Sequence, residues 1–278
     1  MDWARAKSII LFLLFAFNIF LLTNIYGYAR DQGIAVETIQ NTEKILESRG
    51  IRLDCTIPGY NKDTPKLILD NERPDRLLLA EKLLGKGYAE GESAGTYING
   101  GKRVSFDKND VLSYIDDKPA DKVDVKRKNA VEKYVHDFLT DKGLEDSSYI
   151  LDEKKVNSDG SIYLSYLEKY KGFLVYDNYT RVTATEKGIT GIVAQRRHIT
   201  GLSALKTSNI ATAYQVLLGN YDGSTAATIT GIDIGYKDSG AQDMNGIESS
   251  EQLSAWRVKV KEDAEPRYFR TTDGKEIK

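Results

Sequence analysis

The side chains best suited to metal, acid–base or thiol chemistry are few: two histidines, His136 and His198, and a single cysteine, Cys55. His136 sits in a helical pattern without the second histidine and glutamate of a His-Glu-x-x-His zinc motif. His198 ends a strand-like run beside Arg196 and Arg197, where a solvated strand end is expected. Cys55 falls in the alternation Ile51, Leu53, Cys55, Ile57, which reads as a small core residue rather than a nucleophile. Two turns, Asn157-Ser158-Asp159-Gly160 and Asp243-Met244-Asn245-Gly246, have a faint calcium-loop flavour. In the twelve-residue frame the first runs from Lys155 to Tyr166 and the second from Ala241 to Gln252. Neither has acids at positions one and twelve, so both read as ordinary turns. Carboxylate pairs such as Asp116 with Asp117, or Glu262 with Asp263, lie in charged connecting segments and identify no hydrolase. Asn178-Tyr179-Thr180 matches a glycosylation sequon inside a strand-like run. No nucleophile elbow, phosphate loop or dinucleotide fingerprint is present. The expectation is a protein that is not an enzyme and that needs no cofactor or metal.

The most informative polar residue is instead Asn18, because of what surrounds it. Ser8 to Tyr26 is a nearly unbroken apolar run, about 30 Å long as a helix and so matched to a bilayer's hydrocarbon core. Arg5 and Lys7 precede it, which by the positive-inside rule puts residues 1–7 in the cytoplasm and the rest outside. Trp3 at one end, with Tyr26 and Tyr28 at the other, suits anchoring at the two headgroup levels. A cleaved signal peptide would have a shorter apolar region ending at a small-x-small site, and Ile25-Tyr26-Gly27-Tyr28-Ala29 offers no Ala-x-Ala match. An uncleaved anchor over residues 8–28 is the reading. Asn18 near mid-span either seeks a hydrogen-bond partner on another helix or bonds its own backbone. Leu11, Leu14 and Leu22 are its candidate companions on a contact face. A seven-residue tail holds no signalling domain, so any message to the cell passes through this helix.

The remaining chain must be an extracytoplasmic body. The whole sequence carries 39 basic and 41 acidic residues, for a net charge of −2. Removing the first 29 residues takes away Asp2, Arg5 and Lys7 and makes the balance more negative, which argues against a nucleic-acid partner. With one cysteine no intrachain disulfide is possible, which is compatible with a Gram-positive bacterial surface. The pattern predicts a helix over 32–49 closed by Gly50, strands over 51–57 and 66–69, and a helix over 75–84. Asp75 caps that second helix, and Leu78, Leu79 and Leu83 form its apolar face. A hairpin turning at Asn99-Gly100-Gly101 follows. The charged stretch 116–121, with Pro119, marks a boundary.

The pattern then restarts with a helix over 125–139 and long strands over 162–167, 173–185 and 189–197. A helix over 208–218 and strands over 229–236, 256–260 and 267–270 complete it. The segment 238–252 is polar and loop-like. The expected fold is α+β: a transmembrane helix, then two modules with antiparallel sheets, 29–118 and 119–278, as a candidate internal duplication.

Several of these segments together resemble the YycI family. They are Met1-Asp2-Trp3-Ala4-Arg5-Ala6-Lys7 with Asn18-Ile19-Phe20-Leu21-Leu22, and Gly172-Phe173-Leu174-Val175-Tyr176-Asp177-Asn178, which is similar to the family's G-x-x-V-Y-D-N strand. Ala213-Tyr214, Ile232-Asp233-Ile234-Gly235-Tyr236 and Ala255-Trp256-Arg257-Val258 extend the likeness along the chain. The resemblance implies a single-pass membrane regulator of the essential WalK–WalR (YycG–YycF) two-component system, which governs cell-wall metabolism. It implies as partners a YycH-type sister protein and the WalK/YycG-type sensor histidine kinase, with membrane lipid around the helix and no catalytic residues. Where the family's span is commonly aliphatic, this one carries Phe12, Phe15, Phe17 and Phe20. The competing expectation is a membrane-tethered, PepSY-like inhibitor of extracytoplasmic cell-wall enzymes, or a scaffold for them, suggested by the closing helix-plus-hairpin pattern.

Overall fold

The computed structural model describes residues 3, 7, 10–21, 36–70, 72–125, 127, 129–238 and 251–277. The protein is a mixed α+β chain with large, mainly antiparallel sheets. It divides into two compact units that are discontinuous in sequence. The first comprises Met1–Thr64, Lys206–Asp233 and Trp256–Ile277; the second comprises Pro65–Leu205 and Ile234–Ala255.

In the first unit, residues 10–21 form helix α1 and Val36–Ser48 form α2. Gly50 follows α2 at φ +77°, a left-handed value that a side chain would resist. Strand β1 (Ile51–Leu53) runs parallel to the start of β12 (Ala227–Tyr236), with Ile51 opposite Ala227. The expected strand over 51–57 therefore stops four residues early. Helix α5 (Ala213–Asn220) also starts later than the pattern predicts. Just ahead of it Thr212 is extended, and the Ala211 N–H donates to the Thr271 carbonyl at 2.6 Å. At its start, Gln215 Oε1 accepts from the Thr212 N–H at 2.8 Å and so satisfies a helix-end donor. Strands β14 (Ser254–Val260), β15 (Arg267–Arg270) and β16 (Glu276–Ile277) continue the sheet beside β12. The core is built on Leu46, Ile51, Leu217, Ile229, Trp256 and Phe269, all essentially inaccessible.

In the second unit, eight strands make an antiparallel sheet in the order β7-β8-β9-β10-β6-β5-β4-β3. They are β3 (Ala89–Glu90), β4 (Thr96–Asn99), β5 (Lys102–Phe106), β6 (Leu112–Asp116), β7 (Tyr149–Val156), β8 (Ile162–Tyr170), β9 (Phe173–Thr185) and β10 (Gly188–Gln195). Because side chains alternate along a strand, register decides which ones share a face. One row across six strands reads Tyr97, Val104, Tyr114, Ile192, Val182, Leu164, and every member is buried. Helices α3 (Arg76–Leu84) and α4 (Ala130–Lys142) contribute Ala80, Leu83, Leu84, Val131, Val135 and Leu139 to the same core. A small second sheet joins β11 (Ile199–Thr207), β2 (Thr64–Leu69) and β13 (Glu251–Gln252).

The units do not follow the expected division at 118/119. β6 lies before that point and β10 after it, yet Ile192 pairs with Tyr114 in the middle of one sheet. The sheets are also not wholly antiparallel, since β12 runs parallel to β1 and, at Gly235 and Tyr236, to β9. On α3 the Asp75 cap is as expected: its Oδ1 accepts from the Leu78 N–H at 3.0 Å. The inward face is not. Leu78 is exposed, and Ala80 and Leu84 are buried with Leu83. The 99–101 hairpin turns on Gly100 and Gly101, with Asn99 paired to Lys102. The Asn99 amide instead donates to the Leu84 carbonyl at 3.0 Å, closing the end of α3.

Candidate functional site

Three places could carry function: the apolar N-terminal helix, a polar knot in β9 and a pocket in the second unit. Along α1 the described side chains from Ile10 to Leu21 are exposed all round and, Asn18 apart, apolar, with Phe12 at 71% and Leu11 at 66% accessible. Leu11, Leu14 and Asn18 fall on one helix face at i, i+3 and i+7. Asn18 Nδ2 donates to the Leu14 carbonyl four residues back, at 2.8 Å. The intrahelical bond, one of the two alternatives, is thus present, and it leaves the second Nδ2 hydrogen and Oδ1 as the amide's further polar capacity. Trp3 and Lys7 are helical and exposed. Arg5, Leu22, Tyr26 and Tyr28 lie outside the described residues, as does most of the 238–252 segment. Among the described residues no helix is long and apolar enough to cross a membrane.

The knot arises from a wide bulge. β8 and β9 pair normally at Leu167–Tyr179, and the next pair is Glu168–Val175, so Tyr176, Asp177 and Asn178 are extra residues on β9. Bulges re-aim side chains, and these are turned into hydrogen bonds. Asn178 Nδ2 donates to Glu168 Oε2 at 2.7 Å and to the Arg197 carbonyl at 2.8 Å, and its Oδ1 accepts from the Arg197 N–H at 2.9 Å. Asp177 accepts from Lys237 and from the Asp238 N–H, and Arg197 pairs with Asp238 at 3.2 Å. Asn178 is 1% exposed, so the sequon there is no glycan acceptor. Beside it, Gly235 packs against the Leu174 carbonyl and the Tyr176 ring, where a Cβ would not fit. Tyr236 donates to the Pro65 carbonyl at 2.9 Å. In the first unit Arg257, 3% exposed, holds Asp233 through Nε and Nη2, and the Trp256 indole donates to the Ala211 carbonyl at 2.7 Å. These buried, mutually satisfied groups specify structure rather than present reactive atoms.

The pocket, of about 380 Å³, opens where the helical layer over the large sheet is incomplete. The next row of the core face reads Phe106, Leu112, Ala194, Thr180, Tyr166. Its two small residues, Ala194 and Thr180, leave room that Ile192 and Val182 fill one row away. The walls are the start of α3 (Asp75, Leu78, Leu79, Lys82) and the end of α4 (Gly143, Leu144). Gly143 stands at φ +71°, and its N–H reaches the Leu139 and Thr140 carbonyls, so the helix stops there and the chain turns into the pocket wall. A Cβ at Gly143 would lie 2.9 Å from the Lys82 ammonium, which places that cation at the carbonyl end of α4.

Behind this wall Glu145 is buried, 3% exposed, and neither carboxyl oxygen has a hydrogen-bond partner among the described residues. Burial, reinforced by the Asp146 charge, pushes its pKa up to about 8. His136 Nδ1 lies 3.7 Å away, and the Tyr149 and Tyr166 hydroxyls are likewise buried without partners. Asp146 is held below the ordinary carboxylate range: burial alone would raise it, but hydrogen bonds from Ser148 and Arg196 prevail. Burial, then the Asp54 charge, raises the Cys55 thiol, consistent with an unreactive half-buried residue. Asn157-Ser158-Asp159-Gly160 is a turn, with the Gly160 N–H on the Asn157 carbonyl at 3.0 Å. The second calcium-like stretch lies outside the described residues. His198 lines the pocket mouth, and no group of three or more metal-ligating side chains occurs among the described residues. Composition and spacing could not reveal the pocket or Glu145, because both depend on which residues of distant strands stand side by side.

The family model described as YycI protein matches residues 30–271. No curated protein sequence matches the chain. Solved structures are also similar, two of them as follows. One is an uncharacterized protein from Eubacterium rectale, at 9% identity and a TM-score of 0.46, covering 82% of this chain and 89% of that one. The other is the Bacillus megaterium YpeB C-terminal domain, at 13% identity and a TM-score of 0.41, covering 75% of this chain and 97% of that one.

Proposed function

The chain belongs to the YycI family, and from that premise we propose that it is a non-enzymatic regulator of a WalK-type sensor histidine kinase controlling cell-wall metabolism. In this reading residues 8–28 anchor it once in the cell membrane, with the N-terminus cytoplasmic and both units extracytoplasmic. It acts through contacts of the membrane helix, together with a YycH-type partner.

The observation that carries the reading is the exterior of α1, apolar on every side and interrupted only by Asn18 among its described residues. At about −0.3 to −0.6 kcal/mol per central Leu, Ile or Phe, such a surface favours lipid over water. The internal bond of Asn18 lowers the cost of placing an amide there. A neighbouring helix that donates to its Oδ1 would add about 1–2 kcal/mol at most, enough to bias a kinase balanced between two arrangements. Photo-cross-linking residues placed at positions 11, 14, 18 and 22 in cells test this directly. Adducts with the kinase's membrane helices are expected, strongest on the Leu11–Leu14–Asn18 face. Asn18→Leu should weaken co-purification with the kinase while leaving the folded units intact. Absence of adducts at all four positions, with unchanged reporter output from Asn18→Leu, would overturn the proposal.

A further inference from the structure

We propose that the second-unit pocket is a binding site for a small apolar zwitterion, a free apolar amino acid or a dipeptide of such residues. At about 380 Å³ it falls in the range of small-molecule sites. Its floor is apolar and fixed by the sheet, because Phe106, Leu112 and Ala194 belong to one cross-strand row, and Leu79 and Leu144 close it from the helices. A polar ligand side chain buried against such a floor would have to find a partner, and beside its apolar residues the sheet offers the pocket the uncharged polar groups of Thr180 and Gln195 alone.

The charges at the mouth are balanced but not equally occupied. Asp110 is taken by Arg76, through Nε at 2.7 Å, and by Arg73 at 3.6 Å. Asp75 is used to cap α3, and Arg196 is held by Asp146 at 2.6 Å over the Tyr149 ring. Three titratable lining side chains carry no partner among the described residues: the Lys82 ammonium, the Glu72 carboxylate and the His198 imidazole. One free cation and one free anion beside an apolar floor match a molecule with both an ammonium and a carboxylate on a greasy body. A simple anion would meet Glu72 unfavourably, and a simple cation would meet Lys82. The Lys82 ammonium is already steadied by the carbonyl end of α4, so receiving a carboxylate requires little reordering.

This assignment is independent of the membrane-helix reading and can fail without it. The test is equilibrium dialysis of labelled leucine and labelled leucyl-leucine against the full chain in lipid nanodiscs, with empty nanodiscs as the blank. Saturable binding of one or both is expected, the tighter arm identifying amino acid or dipeptide. Hexanoate, hexylamine and hexanol should each compete at least about tenfold less well than the preferred zwitterion. Lys82→Gln and Glu72→Gln should each weaken binding about tenfold, and Lys82→Arg should stay within about threefold. Leu77→Ser, on the exposed side of α3 and away from the pocket, should leave binding unchanged and reports on folding of the helix. No saturable binding, equal competition by hexanoate, hexylamine or hexanol, or unaltered binding by both glutamine variants would overturn the proposal.

Discussion

Glu145 shows how much a single position can carry. It follows the Gly143 stop of α4, so the geometry that ends the helix drives the next side chains inward, and the second of them is a carboxylic acid. With a pKa near 8 against an ordinary 4.5, the folded chain holds a proton that the unfolded chain has released across that window. This contribution to stability is therefore fully present below pH 4.5 and is lost as pH rises toward 8 and beyond. The groups facing it are His136 from α4, Asp146 from its own loop, Tyr149 from β7 and Tyr166 from β8. Glu145→Gln keeps the shape of the protonated acid and cannot ionise. Urea unfolding at pH 5 and at pH 8 should show little difference for the variant at pH 5 and a gain of at least about 1 kcal/mol at pH 8. An equal pH slope in both proteins would contradict the assignment.

At the scale of elements, helix punctuation was legible and sheet irregularity was not. Asp75 and Gly50 announce helix ends because caps are local: a side chain or a positive φ meets a backbone group a few residues away. β7 escaped because its sequence, Tyr-Ile-Leu-Asp-Glu-Lys-Lys-Val, carries the charges that an edge strand tolerates, and those charges hide the apolar alternation. The bulge at Tyr176–Asn178 has no local signal, because it is defined by what β8 places opposite. The same dependence on a neighbour explains Gly235. It has no unusual φ, but its missing side chain lets β12 approach β9 at the Leu174 carbonyl, with the Tyr176 Cζ 2.7 Å from where a Cβ would stand. Gly235→Ala should therefore cost about 2–4 kcal/mol, an overpacking penalty against backbone that cannot yield. The midpoint of urea unfolding measures it, and a shift equivalent to less than about 0.5 kcal/mol would show that the strands can part freely.

At the scale of the whole molecule, sequence order predicts two successive modules, whereas the chain weaves both units from separated stretches. Local patterning sees helices and strands but not which distant strands join, so the seam between β6 and β10 was beyond its reach. That seam makes a sharp prediction. A fragment ending at residue 118 would leave β6 with one bare edge and the row through Tyr114 without Ile192 and Val182, so it should lack cooperative unfolding by circular dichroism. A fragment over 30–271, which retains both sides of the seam, should melt in one or two defined transitions. A cooperative transition in the 118-residue fragment would restore the modular picture. The first unit carries the weave furthest: the Arg49 guanidinium, at the end of α2, donates to the carbonyls of Leu218 and Tyr221, and Trp256 and Phe269 complete the core around Leu46. A ribosome makes Trp256 and Phe269 long after Leu46. Every chain must therefore wait, with its early apolar side chains uncovered, until those later residues have emerged. A message cut short by a premature stop codon would give a product that quality-control proteases can recognise by its unfinished interior, and an incomplete copy would be removed before it could compete with the intact one.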